Sequence, residues 1–398
     1  MKKVGFISDL HLGLTTDDLD RTNEIINVCF DFVKYVVKKK LDCVVIGGDI
    51  FHHNTPSEFL IGQFLRILNA LQKYKIKTYV LVGNHDSISS EERKSCLDFI
   101  NKLTFYPDIK LISDIKCFKM YDTDIGQVYF TFLPHITKSH YINTKYKNAQ
   151  EYIDGKVNKI FEKVGIGNHN IVFSHLNVKG VIPTVEKNFL KKSTVFLSDT
   201  LVSGKINDNI FPLIIQGHIH SKKVIDNVNI VGSPIFVTFG EKDDDKYFSV
   251  VNIPDSFGEK TKVDFIKTKA VRFSEYDFDF TKFKNKMLDD KFLLRTFNDS
   301  EFLDEVKNKI VKINIKVNEE CANINWNDAL LKVKENCVHL KPVNPTVIRK
   351  KIKRDENQKI DLSPIDSVKV WFQKNKTKNL KEKYSLAKSI IRECNENL

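Results

Sequence analysis

Polar residues that can bind metal ions follow five apolar runs of strand length, and this order restricts the folds open to the chain. The runs are Val4–Ile7, Cys43–Ile46, Thr78–Val82, Asn170–Phe173 and Leu213–Gln216. The clusters after them are Asp9-Leu10-His11, Gly48-Asp49, Gly83-Asn84-His85-Asp86, Ser174-His175 and Gly217-His218-Ile219-His220. Side chains at the carboxyl ends of strands in an open α/β sheet meet in one crevice. We therefore predict an α/β fold in which the five clusters converge.

The residue types in these clusters are those of a metal site. The candidate ligands are Asp9, His11, Asp49, Asn84, His175, His218 and His220. One ion takes about four to six ligands, so this set predicts two ions, and Asp49 is the natural bridge because a carboxylate can give one oxygen to each. The mixture suits Mn²⁺, Fe²⁺ or Zn²⁺, and the lack of thiolates argues against a structural zinc. Two such ions can activate a water and neutralise a phosphoryl transition state, which predicts phosphoester hydrolysis.

Each cluster taken alone also has a structural interpretation. A single Asp-x-His is more often a turn or a cap, and a Gly-Asp after a strand is commonly a tight turn. A lone histidine such as His175 is more often a hydrogen-bonded core residue than a ligand. Gly83-Asn84-His85-Asp86 is more specific, because three polar groups directly after an apolar run suit neither a strand nor a helix. All five clusters in this order favour the metal site.

The ordered clusters resemble the calcineurin-like metallophosphoesterase superfamily, whose pattern is Asp-x-His, Gly-Asp, Gly-Asn-His-Asp or Glu, His, and Gly-His-x-His. Gly47–His52 followed by Pro56-Ser57, and Gly83–Ser87, look like the SbcD-like nuclease subunit of double-strand-break repair complexes. Gly232-Ser233-Pro234 and Gly240–Asp245 are similar to phage recombination endonuclease subunits. The resemblance covers residues 1–250.

The Ser/Thr phosphatase branch of the superfamily fits this sequence less well. Its second motif places an arginine shortly after the Gly-Asp. This chain has Phe51-His52-His53 at that point. The nuclease branch is therefore the better match.

The resemblance implies a function for each candidate residue. One ion would be held by Asp9, His11, Asp49 and His220, and the other by Asp49, Asn84, His175 and His218. His85 would stay free of metal and donate a proton to the leaving oxygen or stabilise its charge, with Asp86 orienting the His85 ring. His52 would help to seat the nucleotide for exonucleolytic attack. The implied ions are two Mn²⁺, with Mg²⁺ as the alternative.

The resemblance also implies a substrate and partners. The expected activity is that of a metal-dependent DNA nuclease, an exonuclease on duplex ends and an endonuclease on single strands. It would be the nuclease subunit of a repair or recombination complex with an SMC-like coiled-coil ATPase, and a second copy of the chain is a further candidate partner. A metallophosphodiesterase acting on a small-molecule or nucleotide phosphoester is the alternative. A structural subunit without catalysis would lack ligands, and none is missing here.

The distribution of glycine indicates the main domain boundary, since all 16 glycines lie at or before Gly258. Residues 1–255 alternate strands with helical segments such as Arg21–Lys39 and Ser57–Lys73, which predicts a two-sheet metallophosphoesterase sandwich flanked by helices. Residues 256–345 read as a small α+β capping domain, to which the resemblance assigns DNA contact. Its predicted strands are Lys291–Phe297, Ile310–Val317 and Val338–Pro342, and its predicted helices lie around Ser300–Lys309 and Asn327–Glu335.

The last predicted segment, residues 346–398, is a basic helical pair. Residues 351–398 carry twelve Lys/Arg against seven acidic residues, and Ser363-Pro364-Ile365-Asp366 predicts a helix start. A second helix is predicted near Asn379. The apolar positions of the two helices are Ile365, Val368, Trp371, Phe372, Leu380, Tyr384, Ala387, Ile391 and Cys394. Packing on the same chain and binding to another chain are both open, and the resemblance implies that this end binds the coiled-coil root of the ATPase.

Composition restricts the compartment and the substrate. The chain has no run of 18 apolar residues and no apolar leader, so we expect a cytoplasmic enzyme without a membrane anchor, in the host cytoplasm if the chain is viral. Seven cysteines without a Cys-x-x-Cys suit a reducing compartment. A net charge of +12 favours a polyanionic substrate, but residues 1–100 carry 13 basic against 13 acidic residues. The DNA assignment therefore depends on the resemblance.

Overall fold

Among the described residues, two six-stranded sheets are the largest sheets of the fold. The computed structural model describes residues 1–88, 95–103, 105–124, 126–165, 168–179, 181, 196–197, 212–255, 261–283, 287–349, 363, 367–368, 372, 383–389 and 391. By contacts, the chain divides into Met1–Thr346 and Val347–Leu398. Within the described ranges, no helix has the length and apolar character needed to cross a membrane.

The strands and helices are numbered in the order in which they occur in the sequence. The strands are β1 (Lys2–Ile7), β2 (Thr15–Thr16), β3 (Leu19–Asp20), β4 (Cys43–Ile46), β5 (Lys77–Leu81), β6 (Ile109–Ile112), β7 (Lys116–Thr123), β8 (Gly126–Leu133), β9 (His169–Ser174), β10 (Leu213–Gln216), β11 (Lys223–Ile225), β12 (Val228–Ile230), β13 (Tyr247–Ile253), β14 (Lys262–Lys267), β15 (Phe273–Asp279), β16 (Ile310–Val317), β17 (His339–Leu340) and β18 (Thr346–Val347). The helices are α1 (Thr22–Lys38), α2 (Glu58–Lys73), α3 (Ala149–Val164), α4 (Asp290–Phe297), α5 (Ser300–Val306), α6 (Trp326–Ala329) and α7 (Leu331–Asn336).

The first sheet has the order β14-β13-β1-β4-β5-β6, and the second has the order β11-β12-β10-β9-β8-β7. Strands β1, β4, β5 and β6 run parallel, as do β8, β9, β10 and β12. The five predicted strands are β1, β4, β5, β9 and β10, so all of them lie in these parallel stretches. Their carboxyl ends carry the five clusters.

The two sheets share an apolar core. Phe6 of β1 stacks on Phe173 of β9, with ring centroids 6.0 Å apart, and Phe132 of β8 lies 4.8 Å from Tyr79 of β5. These side chains belong to one buried cluster drawn from both sheets. The strands therefore end in a rigid sandwich, which fixes the positions of the residues that follow them.

Helices cover the outer faces of the sandwich. Helices α1 and α2 pack on the first sheet through residues such as Phe32 and Leu68, and α3 packs on the second through Ile153 and Val157. Ser57 begins α2 by accepting a hydrogen bond from the backbone N–H of Leu60, as expected for an N-cap. The predicted helices at Arg21–Lys39 and Ser57–Lys73 are confirmed as α1 and α2. The predicted fold class, an α/β sandwich flanked by helices, is confirmed.

The segment after the sandwich has its own buried core, in which β15, β16 and β17 run parallel and four helices pack around Phe280, Phe297 and Trp326. Strand β16 matches its prediction. The predicted strand at Lys291–Phe297 is wrong, because these residues lie in α4. The carboxylate of Asp289 accepts the backbone N–H of Phe292, which starts the helix.

The predicted division at residue 255 stays a prediction. Strand β14 continues the first sheet past that position by pairing antiparallel with β13. Ion pairs join the later segment to the sandwich, including Lys341 Nζ to Asp17 Oδ1 at 3.1 Å. Asp17 lies between β2 and β3, shortly after His11, so the α+β segment contacts the loop that leads away from the predicted metal site.

The second unit is described only in part. Residues 367–368, 372, 383–389 and 391 are helical, and the backbone N–H of Ser367 donates to the carbonyl of Ser363 at 2.9 Å. Tyr384, Ala387 and Ile391 are half-buried, whereas Leu386 is 63% exposed. Val368 and Phe372 are also half-buried, and the other four predicted apolar positions of this pair, Ile365, Trp371, Leu380 and Cys394, lie outside the described residues.

Candidate metal centre

The backbone leaves the strand ends in a left-handed conformation at several predicted ligands. The φ angles are 57° at Asp9, 51° at His11, 50° at Asp49 and 70° at His218. A non-glycine residue in this region costs on the order of 1–3 kcal/mol, so the surrounding structure must hold it there. Hydrogen bonds between the loops do so: the N–H of Asp9 donates to the carbonyl of Gly48, and that of His11 to the carbonyl of Asp49, both at 3.0 Å.

Two motif glycines permit a close approach that a side chain would block. Gly48 has a φ of 102°, and a Cβ there would lie 2.6 Å from Nδ1 of His175. A Cβ on Gly83 would lie 2.1 Å from Oδ1 of Asp49. The glycines of Gly48-Asp49 and Gly83-Asn84 therefore leave the space that Asp49 and His175 occupy.

Asp9, His11 and His220 form one group of potential ligands. Their ligand atoms all lie within 4.8 Å of one another. Nε2 of His11 is 3.1 Å from Nε2 of His220 and 3.9 Å from Oδ2 of Asp49. Asp9 and His11 are almost completely buried. Four side chains from the loops after β1, β4 and β10 thus face one point.

Asp49, His175 and His218 form a second group, again within 4.8 Å. Nε2 of His175 lies 3.3 Å from Oδ1 of Asp49 and 3.2 Å from Oδ1 of Asn84. The two carboxylate oxygens of Asp49 therefore face different groups, Oδ2 towards His11 and Oδ1 towards His175. The structure brings all seven predicted ligand residues together.

The outer nitrogens of three histidines hydrogen-bond to oxygen acceptors. Nδ1 of His175 donates to the carbonyl of Gly47 at 2.7 Å, Nε2 of His218 donates to Oδ1 of Asn177 at 3.1 Å, and Nδ1 of His220 donates to Oε1 of Glu241 at 3.2 Å. A ring nitrogen that donates leaves the other nitrogen with its lone pair. Each outer hydrogen bond therefore orients its imidazole so that the inner nitrogen can bind a cation once it is deprotonated, and the residues present fit a metal pair.

Electrostatics favour a cation between the two groups. Burial on its own would raise the pKa of the Asp49 carboxyl, but the charges of His175 and His11 hold it well below its usual range. Burial would lower the pKa of His175, yet the charge and hydrogen bond of Asp49 raise it to about 9. Burial, together with the charge of His175, lowers the pKa of His218 to about 3. Asp49 is thus an anion that stabilises positive charge beside it, and His218 offers a neutral lone pair.

His85 and His52 lie beside the centre. Nδ1 of His85 donates to the carbonyl of His52 at 2.7 Å, and the backbone N–H of His85 donates to Oδ1 of Asp49 at 2.9 Å. Nδ1 of His52 lies 3.4 Å from Nδ1 of His11. His11, His52 and His85 also have ligand atoms within 4.8 Å of one another. Both predicted catalytic histidines therefore contact residues of the candidate ligand groups.

The expectation that Asp86 orients the ring of His85 needs correction. The Asp86 carboxylate, which is fully buried, accepts backbone N–H groups of Gly83, Ile50 and Phe51 at 3.0–3.2 Å. The ring of His85 is held by the carbonyl of His52. The physical reason is that three inward-facing amides of the two loops need an acceptor, and the Asp86 side chain supplies it.

Sequence reasoning missed three residues near the site. Asn177 and Glu241 hold the outer nitrogens of His218 and His220, and His135 follows β8 beside the centre. Burial lowers the pKa of His135 to about 4, with a further contribution from the charge of His175. Signals existed for two of them: Glu241 belongs to the Gly240–Asp245 segment, and His135 follows an apolar run as the predicted ligands do.

Comparison with known proteins identifies the family. Residues 2–222, more than half of the chain, match the calcineurin-like phosphoesterase family. The chain belongs to the calcineurin-like phosphoesterase family. Membership supports hydrolysis of phosphoesters at a dinuclear metal centre, and the two ligand groups around Asp49 are candidates for that centre.

Three individual proteins are similar to this chain. A protein of Invertebrate iridescent virus 6, provisionally named phosphoesterase 244L, is 25% identical over 283 residues, 69% of this chain and 87% of the viral protein. The SbcD component of the nuclease SbcCD of Staphylococcus epidermidis is 24% identical over 259 residues, 63% of this chain and 66% of that protein. Among solved structures, a dimetal phosphatase from Danio rerio is similar with a TM-score of 0.41 and 12% identity, covering 67% of this chain and 96% of that one.

Proposed function

We propose that this phosphoesterase is a metal-dependent DNA nuclease and the nuclease subunit of a repair or recombination complex. The observation that carries the proposal is the pair His52 and His85 beside Asp49, in motifs that resemble SbcD-like nucleases. The match to the SbcD component of a nuclease SbcCD supports it. The viral relative supports only the coarser function, since its name specifies a phosphoesterase and no substrate. A small-molecule or nucleotide phosphodiesterase is therefore the competing proposal.

In the proposed metal centre, Asp49 would offer one carboxylate oxygen to each of two divalent ions. One ion would be held by Asp9, His11, Asp49 and His220, and the other by Asp49, Asn84, His175 and His218. Two observations support this assignment: the two carboxylate oxygens of Asp49 face different ligand groups, and the outer nitrogens of His175, His218 and His220 are held by oxygen acceptors. Mn²⁺ is the proposed ion and Mg²⁺ the alternative. Both would supply an activated water and positive charge near the phosphoryl group.

His85 is the proposed proton donor to the leaving oxygen. Its Nδ1 is already engaged with the carbonyl of His52, so Nε2 is the atom that can exchange a proton with the substrate. The hydrogen bond from its backbone N–H to Asp49 ties His85 to the bridging carboxylate. His85 therefore stays next to the reacting phosphate without being one of the proposed ligands.

His52 is the proposed residue for seating a terminal nucleotide. It is half-buried, and burial with the neighbouring charges of His53 and His85 lowers its pKa to about 4, so its imidazole is neutral at physiological pH. A neutral ring at the edge of the site can hydrogen-bond to a phosphate or stack on a base. An end-directed reaction needs such positioning more than cleavage of a flexible single strand does.

We further propose that residues 346–398 bind an SMC-like ATPase, that residues 256–345 contact DNA, and that the enzyme acts in the cytoplasm, of a host if the chain is viral. The basic composition of the last segment supports contact with a complex held on DNA. A second copy of the chain is an additional proposed partner.

The first test is cleavage by the purified full chain. Labelled blunt duplex, closed single-stranded circles and a chromogenic phosphodiester are incubated with Mn²⁺, with Mg²⁺ or with a strong chelator. We expect metal-dependent cleavage of both DNA substrates, lost on Asp49→Ala. Cleavage of the chromogenic ester without cleavage of either DNA would favour the small-molecule function, and full activity in chelator would reject the metal mechanism.

A second test separates the two nuclease activities. His52→Ala should lose exonuclease on duplex ends more than endonuclease on circles, and His53→Ala is the matched control because His53 is an exposed neighbour. Equal losses of both activities in His52→Ala would reject the seating function.

A further inference from the structure

The three histidines with outer hydrogen bonds do not have equivalent partners. His175 donates to the backbone carbonyl of Gly47 and His218 to the side-chain amide of Asn177, and both acceptors are neutral. His220 alone among these three donates to a carboxylate, that of Glu241 at 3.2 Å. A carboxylate raises the basicity of the imidazole more than a neutral oxygen does. The histidines of the two proposed ion positions therefore differ in their outer acceptors: a carboxylate for His220, and neutral oxygens for His175 and His218.

Glu241 is built into the protein as a fixed charge. Its side chain is 0% exposed, and it forms an ion pair with Lys246, which is 2% exposed. Its oxygens also accept the backbone N–H of Val237 at 3.2 Å and the hydroxyl of Thr238 at 3.3 Å. A buried carboxylate with this many partners keeps one position, so Glu241 can fix the orientation of the His220 ring.

Lys246 holds His220 from a second side. Its Nζ donates to the backbone carbonyl of His220 at 3.1 Å and to Oγ of Ser233 at 3.2 Å. Glu241 thus fixes the ring of His220, and Lys246 fixes its backbone. Because Lys246 directly precedes β13, which pairs with β1, this support is anchored to the strand that leads to Asp9.

The charges of the proposed ligands also differ between the two ion positions. The position with Asp9, His11 and His220 faces a carboxylate of its own in addition to the bridging Asp49, whereas the position with Asn84, His175 and His218 faces only the bridge. More carboxylate charge and a carboxylate-supported imidazole both strengthen binding of a divalent cation.

We propose that Glu241 and Lys246 form a positioning pair for His220 that gives the ion held by Asp9, His11 and His220 the higher affinity of the two. This inference rests on the ligand assignment proposed above. It does not depend on DNA being the substrate. The two ions would bind in sequence, and the pair would act on the first of them only.

The experiment is a Mn²⁺ titration of the metal-free full chain, with free Mn²⁺ followed by electron paramagnetic resonance. The wild type should bind two ions in two affinity classes. Glu241→Gln leaves Lys246 as an unpaired buried charge and should unfold more readily. The double variant Glu241→Gln/Lys246→Met removes both charges and should regain much of that stability, since replacing a whole buried ion pair is often neutral.

The decisive result is the affinity of the double variant. Its higher-affinity class should weaken by about 10–100-fold, with the lower-affinity class unchanged. Asn177→Ala is the matched control and should weaken only the lower-affinity class. Unchanged binding in the double variant, or equal weakening of both classes, would overturn the positioning pair. A wild type that binds fewer than two ions would overturn the ligand assignment and this inference together.

Discussion

At the scale of single residues, the hydrogen bonds of His85 distinguish it from the proposed ligands. Its Nδ1 is occupied by the carbonyl of His52, and its backbone N–H is the group that contacts Asp49. We expect His85→Ala to retain both ions while turnover falls by roughly 10²–10⁴-fold, the usual contribution of a positioned proton donor. Elemental analysis measures the retained metal, and single-turnover kinetics measures the loss of turnover. Loss of an ion in this variant would instead make His85 a ligand.

Asp86 should affect stability before it affects chemistry. Its carboxylate accepts three buried backbone N–H groups, and leaving a buried donor unsatisfied costs about 1–3 kcal/mol. Asp86→Ala should therefore lower the free energy of unfolding by several kcal/mol in denaturant titrations. Asp122→Ala, at an exposed ion pair with Lys119, is the control and should change little. A stable Asp86→Ala protein with the activity of His85→Ala would restore the ring-orienting function.

The sequence was sufficient to place the ligand candidates but not their supports. Asp9, Asp49 and His218 could be predicted as ligands because each lies shortly after an apolar strand. Asn177 has no such local signal, and Glu241 was noted only as part of the Gly240–Asp245 segment, since their partners are imidazoles that the fold brings near them. Asp86 was misassigned for the same reason. The resemblance implied a contact between Asp86 and the ring of His85, but the Asp86 carboxylate accepts backbone amides of its own loop and of the loop after β4.

At the scale of elements, the five predicted strands are correct because strands buried on both faces read as continuous apolar runs. The prediction of a strand at Lys291–Phe297 was wrong because a short apolar run does not distinguish the periodicity of a helix from that of a strand. In α4 the buried side chains are Leu293 and Phe297, four residues apart, which is one face of a helix. The N-cap at Asp289 was the overlooked local signal.

The helical register of α4 predicts unequal effects of two adjacent leucines. Leu293 is 1% exposed, whereas Leu294 is 43% exposed. Leu293→Ala should destabilise the protein by about 2–5 kcal/mol, the usual cost of a cavity in a core, and Leu294→Ala should change stability little. Denaturant unfolding monitored by circular dichroism measures both. Similar losses from the two substitutions would contradict the register.

At the scale of the whole molecule, the proposed catalytic and partner-binding parts occupy separate stretches of the chain. The candidate ligands end at His220, and contacts within the described residues group Met1–Thr346 apart from Val347–Leu398. The sandwich could be predicted because the metal clusters require converging strand ends. How the last segment is used could not, because an amphipathic helix buries its apolar face equally well on its own chain or on another.

Removal of residues 347–398 tests that separation. We expect the truncated chain to bind two ions and to keep the proposed nuclease activity, because all seven proposed ligands and both proposed catalytic histidines remain. It should no longer co-purify with the SMC-like ATPase. Reversing the charge of lysines in this segment should instead weaken DNA association in a salt-dependent way and leave the ATPase bound, since apolar faces would carry that contact. An unchanged affinity of the truncated chain for the ATPase would mean that the helices pack on their own chain.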